Sequence, residues 1–308
     1  MLLENLKSGL QRLQDKFGGE EKAEGPVVGE RVVAENFVWI FGTGRSGSSW
    51  ISRMLRDLRG YTLWNEPLVG HMLGHLYHER GSEIHHLDNF LLGGDEALWL
   101  PPVREFILAA ASAKFPQNVG EPGRYLVVKE PHGSIGADII SRAFPESRMV
   151  VLLRDPRDVT ASKLDAARPG SWAKKGDLYE KLGGDETKYV NSRAYGYVRD
   201  LDYARRAYEA HPGPKATIRY EDVRAEPEIH LEKLLRELGL RYRKEDIARV
   251  VEKHDWSNVP REQRGSGKIL RKARPGGYRE DLTEEQIHLI EKATAHYLDE
   301  FYPDFPRG

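Results

Sequence analysis

Residues 37–50 read FVWIFGTGRSGSSW, a run of five apolar residues followed by a loop rich in glycine and serine. The apolar run predicts a buried β-strand, and the residues after the loop suit a helix. In this arrangement backbone N–H groups and the helix N-terminus surround a single anion. Gly42, Gly44 and Gly47 let the backbone turn tightly and approach such a ligand. The stretch therefore predicts a phosphate-binding loop after the first strand.

Four further short apolar runs predict strands at residues 61–64, 125–128, 149–153 and 216–220. Several of these runs are apolar on both faces, which is typical of a parallel sheet that helices cover on each side. Segments with helical spacing lie between and after them, at residues 48–58, 134–144, 156–166, 226–238, 244–253 and 283–301. We therefore predict an α/β fold with three layers, α/β/α, around a central parallel sheet.

The composition excludes several classes of function. The 48 acidic and 47 basic residues nearly cancel, so no global field attracts nucleic acid or an anionic membrane. The chain has no cysteine, which excludes disulfides, thiolate metal sites and cysteine nucleophiles. No stretch approaches the ~18 uncharged apolar residues of a membrane span. We expect a cytoplasmic protein with no nucleic-acid partner and no transmembrane segment.

The chain is expected to have two parts. Residues 1–30 combine an amphipathic helix with an acidic, glycine-containing linker, and residues 31–308 form one domain. The helix is expected to pack on the domain or on a second subunit, which leaves a homodimer open. Attachment to a membrane surface is the alternative.

The phosphate-binding loop departs from the nucleotide-binding pattern G-x-x-x-x-G-K-[ST] at one position. Ser48 stands where that pattern has lysine. Because that lysine reaches the β- and γ-phosphates of a triphosphate, its absence argues against ATP or GTP hydrolysis and favours a shorter phosphate group. Arg45, three residues earlier, can supply a cation in a different place.

Two further segments are candidates for binding anions. Residues 154–162, RDPRDVTAS, follow a predicted strand and place Arg154 at its carboxyl edge and Ser162 on the same side of the next helix. Ligands of open α/β sheets bind outside this edge, so both residues would converge on the first loop. Residues 271–278, RKARPGGY, predict a basic loop that folds over a phosphate. The alternatives are a surface ion-pair cluster at residues 154–158 and a solvated charge run at the second segment.

In their order along the chain, these elements resemble the sulfotransferases that use PAPS (3'-phosphoadenosine 5'-phosphosulfate). Residues 44–50, GRSGSSW, match the last seven positions of the family's T-x-P-K-S-G-T-T-W, with arginine for lysine. Arg154 and Ser162 have the spacing of the family's 3'-phosphate pair, and residues 271–278 align with its R-K-G-x-x-G-D-W. Residues 220–222 match its Y-E-D.

The resemblance implies a fold like that of P-loop NTPases, PAPS as donor, PAP (3'-phosphoadenosine 5'-phosphate) as product, and no metal. The acceptor would be a hydroxyl of a small molecule, a lipid or a carbohydrate. The resemblance places Trp50 on adenine and Tyr220 near its amino group. The residues implied in donor binding are Gly44, Arg45, Ser46, Gly47, Ser48, Ser49, Trp50, Arg154, Ser162, Tyr220, Arg271, Lys272 and Ala273.

Sulfuryl transfer needs a group that stabilises the leaving phosphate and a base that takes the acceptor's proton. Arg45 and Lys129, together with the loop N–H groups, could stabilise the leaving group. Glu66, in the sequence WNEP, stands where several bacterial and carbohydrate sulfotransferases keep a glutamate, and we favour it as the base. His132 is the second candidate, because imidazole titrates near pH ~6.5, and Glu130 is a third.

The acceptor pocket has no recognisable code in the sequence. Segments 68–116 and 168–187 are expected to build it, with contributions from the histidines and aromatic residues nearby. His71, His75 and His78 lie at helical spacing and are expected to line the pocket or a solvated face rather than hold a metal. The aromatic candidates are Trp99, Trp172, Tyr189 and Tyr195. Rival functions are a P-loop kinase and a PAP-binding or scaffold protein without activity.

Overall fold

The computed structural model describes residues 32–81, 89–118, 122–172, 178–268 and 270–304. The N-terminal helix and linker expected at residues 1–30 lie outside these ranges. Five strands form one sheet in the order β2-β3-β1-β4-β5, and all neighbouring pairs are parallel. The strands are β1 (Phe37–Gly42), β2 (Tyr61–Asn65), β3 (Tyr125–Lys129), β4 (Arg148–Leu153) and β5 (Lys215–Arg219).

The central strand shows why the sheet needs helices on both faces. Phe37, Trp39 and Phe41 point to one face and Val38 and Ile40 to the other, and all five are fully buried. Each face belongs to a separate apolar cluster with its own covering helices. The predicted three-layer α/β/α fold with a central parallel sheet is therefore confirmed.

The helices connect the strands and cover the two faces of the sheet. They are α1 (Ser48–Arg56), α2 (Val69–Gly74), α3 (Glu96–Lys114), α4 (Ala137–Ala143), α5 (Pro156–Ala167), α6 (Leu178–Lys181), α7 (Glu186–Ala210), α8 (Tyr220–Ala225), α9 (Pro227–Glu237), α10 (Lys244–Lys253), α11 (Glu284–Ala293) and α12 (Ala295–Phe301). A π-helical turn, His75–Arg80, extends α2. In the described part of the chain, no helix is long and apolar enough to cross a membrane.

Two boundaries differ from the sequence prediction. The segment expected as one helix at residues 283–301 is split at Thr294, whose φ of −111° and ψ of 17° lie outside the helical range. The strand expected at residues 216–220 ends at Arg219, because Tyr220 already begins α8. The second difference turns the Tyr220 ring toward the phosphate-binding loop rather than along the strand.

The strand order positions the site. β1 lies between β3 and β4, with Ile40 opposite Lys129 and Gly42 opposite Leu152. The loop after β1 therefore has Lys129 on one side and Arg154, which follows β4, on the other. This is the crevice at the carboxyl edge where open α/β sheets bind ligands.

Candidate active site

Two glycines of the loop after β1 let aromatic rings lie directly on the backbone. Gly47 has a φ of +91°, and a Cβ there would lie 2.4 Å from Cδ2 of Tyr220. A Cβ at Gly44 would lie 2.5 Å from Cε1 of His132. Arg45, between them, also has a positive φ, of 74°. The loop conformation thus depends on these glycines, and it brings Tyr220 and His132 to opposite sides of the loop.

Lys129 connects the loop to Glu66. Its ammonium donates to Oγ of Ser49 over 3.0 Å and lies 2.5 Å from Oε1 of Glu66. The Lys129 side chain is 3% exposed and that of Glu66 is 34% exposed. A buried cation therefore joins the first turn of α1 to a carboxylate that solvent can reach. Glu66 is held there by a left-handed backbone, with a φ of 49°.

His132 lies on the loop opposite Tyr220. Burial lowers the pKa of His132 from its ordinary value; Glu66 acts in the opposite direction, and the charge of Lys163 adds to the lowering. The imidazole is consequently neutral at neutral pH and can accept a proton. His132 thus has the protonation state that a general base requires.

Glu130 has a different environment. Its Oε1 accepts a hydrogen bond from the backbone N–H of Val69 over 2.9 Å, at the start of α2. Burial raises the pKa of Glu130 to about 7, against the opposing effect of the N–H groups of Val69 and Leu68. This carboxyl group therefore anchors the start of α2.

A second group of cations lies on the other side of the loop. Arg45 donates from Nε to Oγ of Ser162 over 2.9 Å, and Arg154 donates from Nη1 to the carbonyl of Arg45 over 3.0 Å. Burial, followed by the charges of Arg154 and Arg271, lowers the pKa of Arg45 to about 10, while Asp165 opposes them. Arg45 beside the Ser162 hydroxyl, with the charges of Arg154 and Arg271 acting on it, makes a candidate site for an anion.

An aromatic wall adjoins this cation group. The guanidinium of Arg154 lies 4.4 Å from the centroid of the Tyr220 ring, and Trp50 meets the same ring at 5.9 Å and 72°. The indole N–H of Trp50 donates to the carbonyl of His254 over 2.9 Å, which fixes the ring. In the described residues, the Ser46 hydroxyl and Nε of Arg154 are buried without a hydrogen-bond partner. Both polar atoms are placed to bind a ligand.

The predicted closing loop lies beside the same cations. Arg271 donates to Asp281 over 2.7 Å, and Lys272 donates to the same carboxylate over 2.9 Å. Ala273 takes a left-handed φ of 48°, and its carbonyl accepts from Nε of Arg224 over 3.0 Å. The guanidinium of Arg224 also lies 5.8 Å from the Trp50 ring, so it connects the closing loop to the aromatic wall.

One helix holds the closing loop in place. Asp158 of α5 accepts from the backbone N–H groups of Gly276 and Tyr278 over 2.7 and 3.0 Å. Asp165, two turns further on, accepts from the N–H of Gly267 over 2.9 Å. Ser162 lies between these aspartates on the same face of the helix. The anion-facing serine and the anchors of the closing loop therefore share one rigid element.

The surface ion-pair cluster considered for residues 154–158 exists only in part, and it is buried. Arg157 pairs with Asp155 over 2.8 Å and with Glu291 over 2.7 Å, and both side chains of the first pair are 1% exposed. Arg154 takes no part in this network and faces the loop instead. The segment thus divides into a structural pair and a residue of the candidate site.

A cavity of about 410 Å³ opens on the Glu66 and His132 side of the loop. It is walled by α2, α5, α7 and the loop itself. Its lining residues are Gly44, Arg45, Leu68, His71, His75, His132, Ile135, Lys163, Ala166, Ala167, Trp172, Tyr189, Arg193, Arg199 and Asp200. This volume and this mixture of apolar walls and a few polar groups are typical of a small-molecule site.

The three spaced histidines separate in the structure. His71 and His75 line the cavity, with ring centroids 4.3 Å apart, whereas His78 bonds Asp138 over 3.0 Å. Within the described ranges, no group of three or more histidine, aspartate or glutamate side chains is arranged to hold a metal ion. Two of the three histidines therefore lie at the cavity.

The aromatic candidates separate in the same way. Trp172 and Tyr189 line the cavity, and Trp99 is buried beside Tyr77 with ring centroids 5.4 Å apart. Tyr195 is 59% exposed and lies outside the cavity lining. Two of these four side chains therefore face the space beside His132.

Several residues of the cavity and of the contacts to the closing loop were not predicted from the sequence. Lys163 directly follows Ser162 and reaches the cavity, while Arg193 and Asp200 project from α7, a helix that the sequence reasoning did not predict. A signal for α7 was present, because its buried residues recur every three or four positions: Val190, Ala194, Tyr197, Leu201, Ala204 and Ala207. No comparable pattern in the sequence marks Arg224.

Comparison with known proteins places this site in context. The model of a protein family described as "Sulfotransferase family" matches residues 38–244. A sulfotransferase from Mycobacterium avium, STF9, is 15% identical over 88% of this chain and 78% of that one, with a TM-score of 0.55. No curated protein sequence matches the chain.

Two further solved structures contain PAP. Mouse sulfotransferase SULT7A1, solved with PAP, is 12% identical over 87% of this chain and 85% of that one, with a TM-score of 0.50. Retinol dehydratase, solved with retinol and PAP, is 17% identical over 89% and 84%, with a TM-score of 0.50. At these identities the likeness concerns the fold, which is the P-loop-like α/β fold expected from the sequence.

Proposed function

Because this chain belongs to the sulfotransferase family, we propose that it transfers a sulfuryl group from PAPS to a hydroxyl group and releases PAP. The observation that carries the proposal is the position of Lys129. Its ammonium touches both Ser49 of the phosphate-binding loop and Glu66, a partly exposed carboxylate. A cation that joins an anion-binding loop to a base is what transfer between a phosphate and a hydroxyl needs.

Different parts of the donor would bind on the two sides of the loop. The N–H groups of residues 44–49 and the Lys129 ammonium would hold the 5'-phosphosulfate, since they lie at the N-terminus of α1. Arg45, Arg154 and Ser162 would hold the 3'-phosphate, because they form the cation group on the other side. This proposal assigns Arg45 to the 3'-phosphate instead of the leaving group expected from the sequence, because its Nε donates to Ser162. The closing-loop residues Arg271, Lys272 and Ala273 adjoin that group.

The adenine would lie against the aromatic wall. Trp50 and Tyr220 form an edge-to-face pair beside Arg154. Aromatic faces of this kind bind purines by stacking. The backbone carbonyl of His254 fixes the Trp50 ring, so the surface is formed before the nucleotide arrives.

PAPS supplies an activated sulfuryl group, and the chain's residues supply orientation, a proton acceptor and charge. The acceptor oxygen forms a bond to sulfur while the bond from sulfur to the 5'-phosphate oxygen breaks, and the electron pair leaves with PAP. Glu66 takes the proton of the acceptor hydroxyl, and Lys129 neutralises the charge that develops on the leaving phosphate. The products are a sulfate ester, PAP and a proton.

The choice of base rests on geometry. Glu66 is the carboxylate in contact with Lys129, so it lies beside the group that would bind the leaving oxygen. His132 is neutral and lies on Gly44, within the cavity wall, and it is the alternative. Glu130 is held by the N–H of Val69 at the start of α2, which leaves it out of the transfer.

A calorimetric titration tests the proposal against the kinase alternative. We expect PAP to bind tightly and ATP to bind at least ~100-fold more weakly, because Ser48 stands where a triphosphate loop needs lysine. Strong binding of ATP with no binding of PAP would contradict the proposal.

Replacement of the two candidate bases separates their roles. We expect Glu66→Gln to lower PAPS turnover on the order of 100-fold or more, since amide cannot take the proton. His132→Asn should leave turnover within ~3-fold of wild type, since its role would be packing against Gly44. The measurement is release of PAP from PAPS, with a phenol and with water as acceptors, and PAP affinity controls for folding. If Glu66→Gln retains full turnover, the assignment of Glu66 as the base is wrong.

A further inference from the structure

The charge of the cavity beside His132 is unbalanced. Its lining contains four permanent or near-permanent cations, namely Arg45, Lys163, Arg193 and Arg199, and a single carboxylate, Asp200. Arg45 belongs to the cation group around Ser162. Arg199 pairs with Asp200 over 3.0 Å. Lys163 and Arg193 are the two remaining cations of the lining.

Neither of these two cations forms an ion pair with a carboxylate of the described residues. The Lys163 ammonium donates to Oγ1 of Thr43 over 2.8 Å, and that hydroxyl donates in turn to Asp200 over 3.3 Å. Nε of Arg193 is buried and has no hydrogen-bond partner in the described part of the chain, and its guanidinium lies 5.0 Å from the centroid of the Tyr189 ring. Both side chains are half-buried, and half-buried cations without an ion-pair partner are typical of sites that bind an anion.

The spacing along α7 shows that the space beside these cations is open. Tyr189, Arg193, Gly196 and Asp200 recur every three or four residues, so they share one face of the helix. A Cβ built on Gly196 would meet no atom within 4 Å. A glycine in the middle of a long helix costs stability relative to alanine, and here it leaves this position of the shared helix face uncovered.

We propose that the acceptor is a small anionic alcohol or phenol, whose carboxylate, phosphate or sulfate group is bound by Lys163 and Arg193. Its hydroxyl is directed toward Glu66 and the sulfuryl group of the donor. Its body contacts the apolar walls formed by Leu68, Ile135 and Trp172. This inference rests on the proposed function, because it names the class of acceptor for the same site.

The charges support this division of the cavity. Burial lowers the pKa of Lys163 to about 8; the charge of Asp200 opposes the shift and that of Arg193 adds to it. An anion placed between Lys163 and Arg193 relieves the repulsion between them and restores the charged form of the lysine. With a neutral acceptor, Asp200 would remain the only carboxylate of the cavity lining that opposes these charges.

Calorimetry on the PAP-bound protein tests the proposal, because PAP fills the cation group around Ser162 and leaves only the cavity for a second ligand. The probes are para-hydroxyphenylacetate, para-hydroxyphenyl phosphate and tyrosol, a neutral phenol of similar size. We expect at least one of the two anions to bind ~10-fold or more tightly than tyrosol. A preference for the carboxylate or for the phosphate identifies which anionic group the site takes.

Matched variants on one helix complete the test. Arg193→Gln should remove ~10-fold or more of the anion's affinity, and Lys163→Met should do the same. Arg206→Gln is the control, because Arg206 is on α7 but lies outside the cavity, over the Tyr203 ring. Equal binding of tyrosol and the anions, an unchanged anion affinity in Arg193→Gln, or no anion binding up to millimolar concentration would overturn the proposal. Failure of PAP itself to bind would instead contradict the proposed function.

Discussion

The proposed donor site around the loop after β1, here called the donor side, and the cavity proposed for the acceptor, here called the acceptor side, differ in how they are built. The donor side is made of three short segments, each local in the sequence: residues 42–50 and 154–162, which follow strands directly, and the loop of residues 271–278. The acceptor side depends on α7, which is remote in sequence from the loop it faces. A short motif can therefore specify the donor, whereas the acceptor cavity is a product of tertiary packing.

The difference also concerns rigidity and charge. On the donor side the cations are fixed by hydrogen bonds to the loop and to Ser162, and the closing loop is tied to α5 by Asp158. On the acceptor side Arg193 has a buried nitrogen without a partner in the described residues, and Gly196 leaves open space. The donor side is preorganised for one ligand, and the acceptor side is a shaped cavity whose cations select among ligands.

The largest expected effect is a loss of PAP affinity from a substitution on the donor side alone. Gly47→Ala places a Cβ 2.4 Å from the Tyr220 ring at a φ of +91°, so the loop and the ring have to separate. We expect PAP affinity to fall ~100-fold, measured by calorimetry. The control is Gly170→Ala, because Gly170 has a φ of +80° with no atom within 4 Å of its Cβ. Should both variants bind PAP like the wild type, the contact between Gly47 and Tyr220 does not shape the site.

A smaller effect is a loss of affinity for the anionic phenols from a substitution on the acceptor side alone. Gly196→Leu adds a side chain to the face of α7 that carries Arg193 and Asp200, where the space is open. We expect the affinity of the anionic phenols to fall ~30-fold, while PAP affinity stays within ~2-fold and the helix becomes more stable. Calorimetry and thermal unfolding measure the two quantities. A loss of PAP affinity equal to the loss of anion affinity would show that the two sides are not separable.

The smallest effect is a pH dependence on the acceptor side. Because the pKa of Lys163 is lowered to about 8, the lysine is charged below pH 8 and loses its charge above it. Affinity for para-hydroxyphenylacetate, which stays ionised in this range, should therefore be nearly constant below pH 8 and fall by at most ~10-fold per unit above it. The titratable and charged groups that line the cavity with Lys163 are Arg45, His71, His75, His132, Tyr189, Arg193, Arg199 and Asp200.

Lys163→Arg distinguishes the lysine from these neighbours. Arginine keeps its charge throughout the range, so the decrease above pH 8 should disappear in this variant. The affinity is measured by calorimetry from pH 6 to 10, with PAP bound. The same decrease in wild type and in Lys163→Arg would assign the titration to another group.

The sequence predicted most of the fold because each strand of a fully covered parallel sheet is apolar on both faces. One core contains Phe37, Trp39 and Phe41, and the other contains Val38 and Ile40. It predicted that the candidate donor-binding residues lie near one another, because the carboxyl ends of neighbouring strands meet, and Lys129 and Arg154 do lie on either side of one loop.

The sequence did not predict the acceptor cavity because nothing local marks it. Arg193 becomes a candidate only when α7 is packed against α5, which places its guanidinium in the same cavity as Lys163. The role of Glu130 was equally hidden, since its burial at the start of α2 depends on contacts between segments that are 61 residues apart. Spacing identifies residues that share an element, and only the tertiary structure shows which elements face each other.

The central claim is that the loop after β1 lies between two separate anion sites, one for each phosphate end of the donor. The most direct test is the ratio of affinities for PAP and for adenosine 5'-phosphate, which lacks only the 3'-phosphate, measured by calorimetry at one salt concentration. We expect PAP to bind at least ~100-fold more tightly, and Arg154→Gln to remove most of that difference. Equal affinity for the two nucleotides would contradict the account.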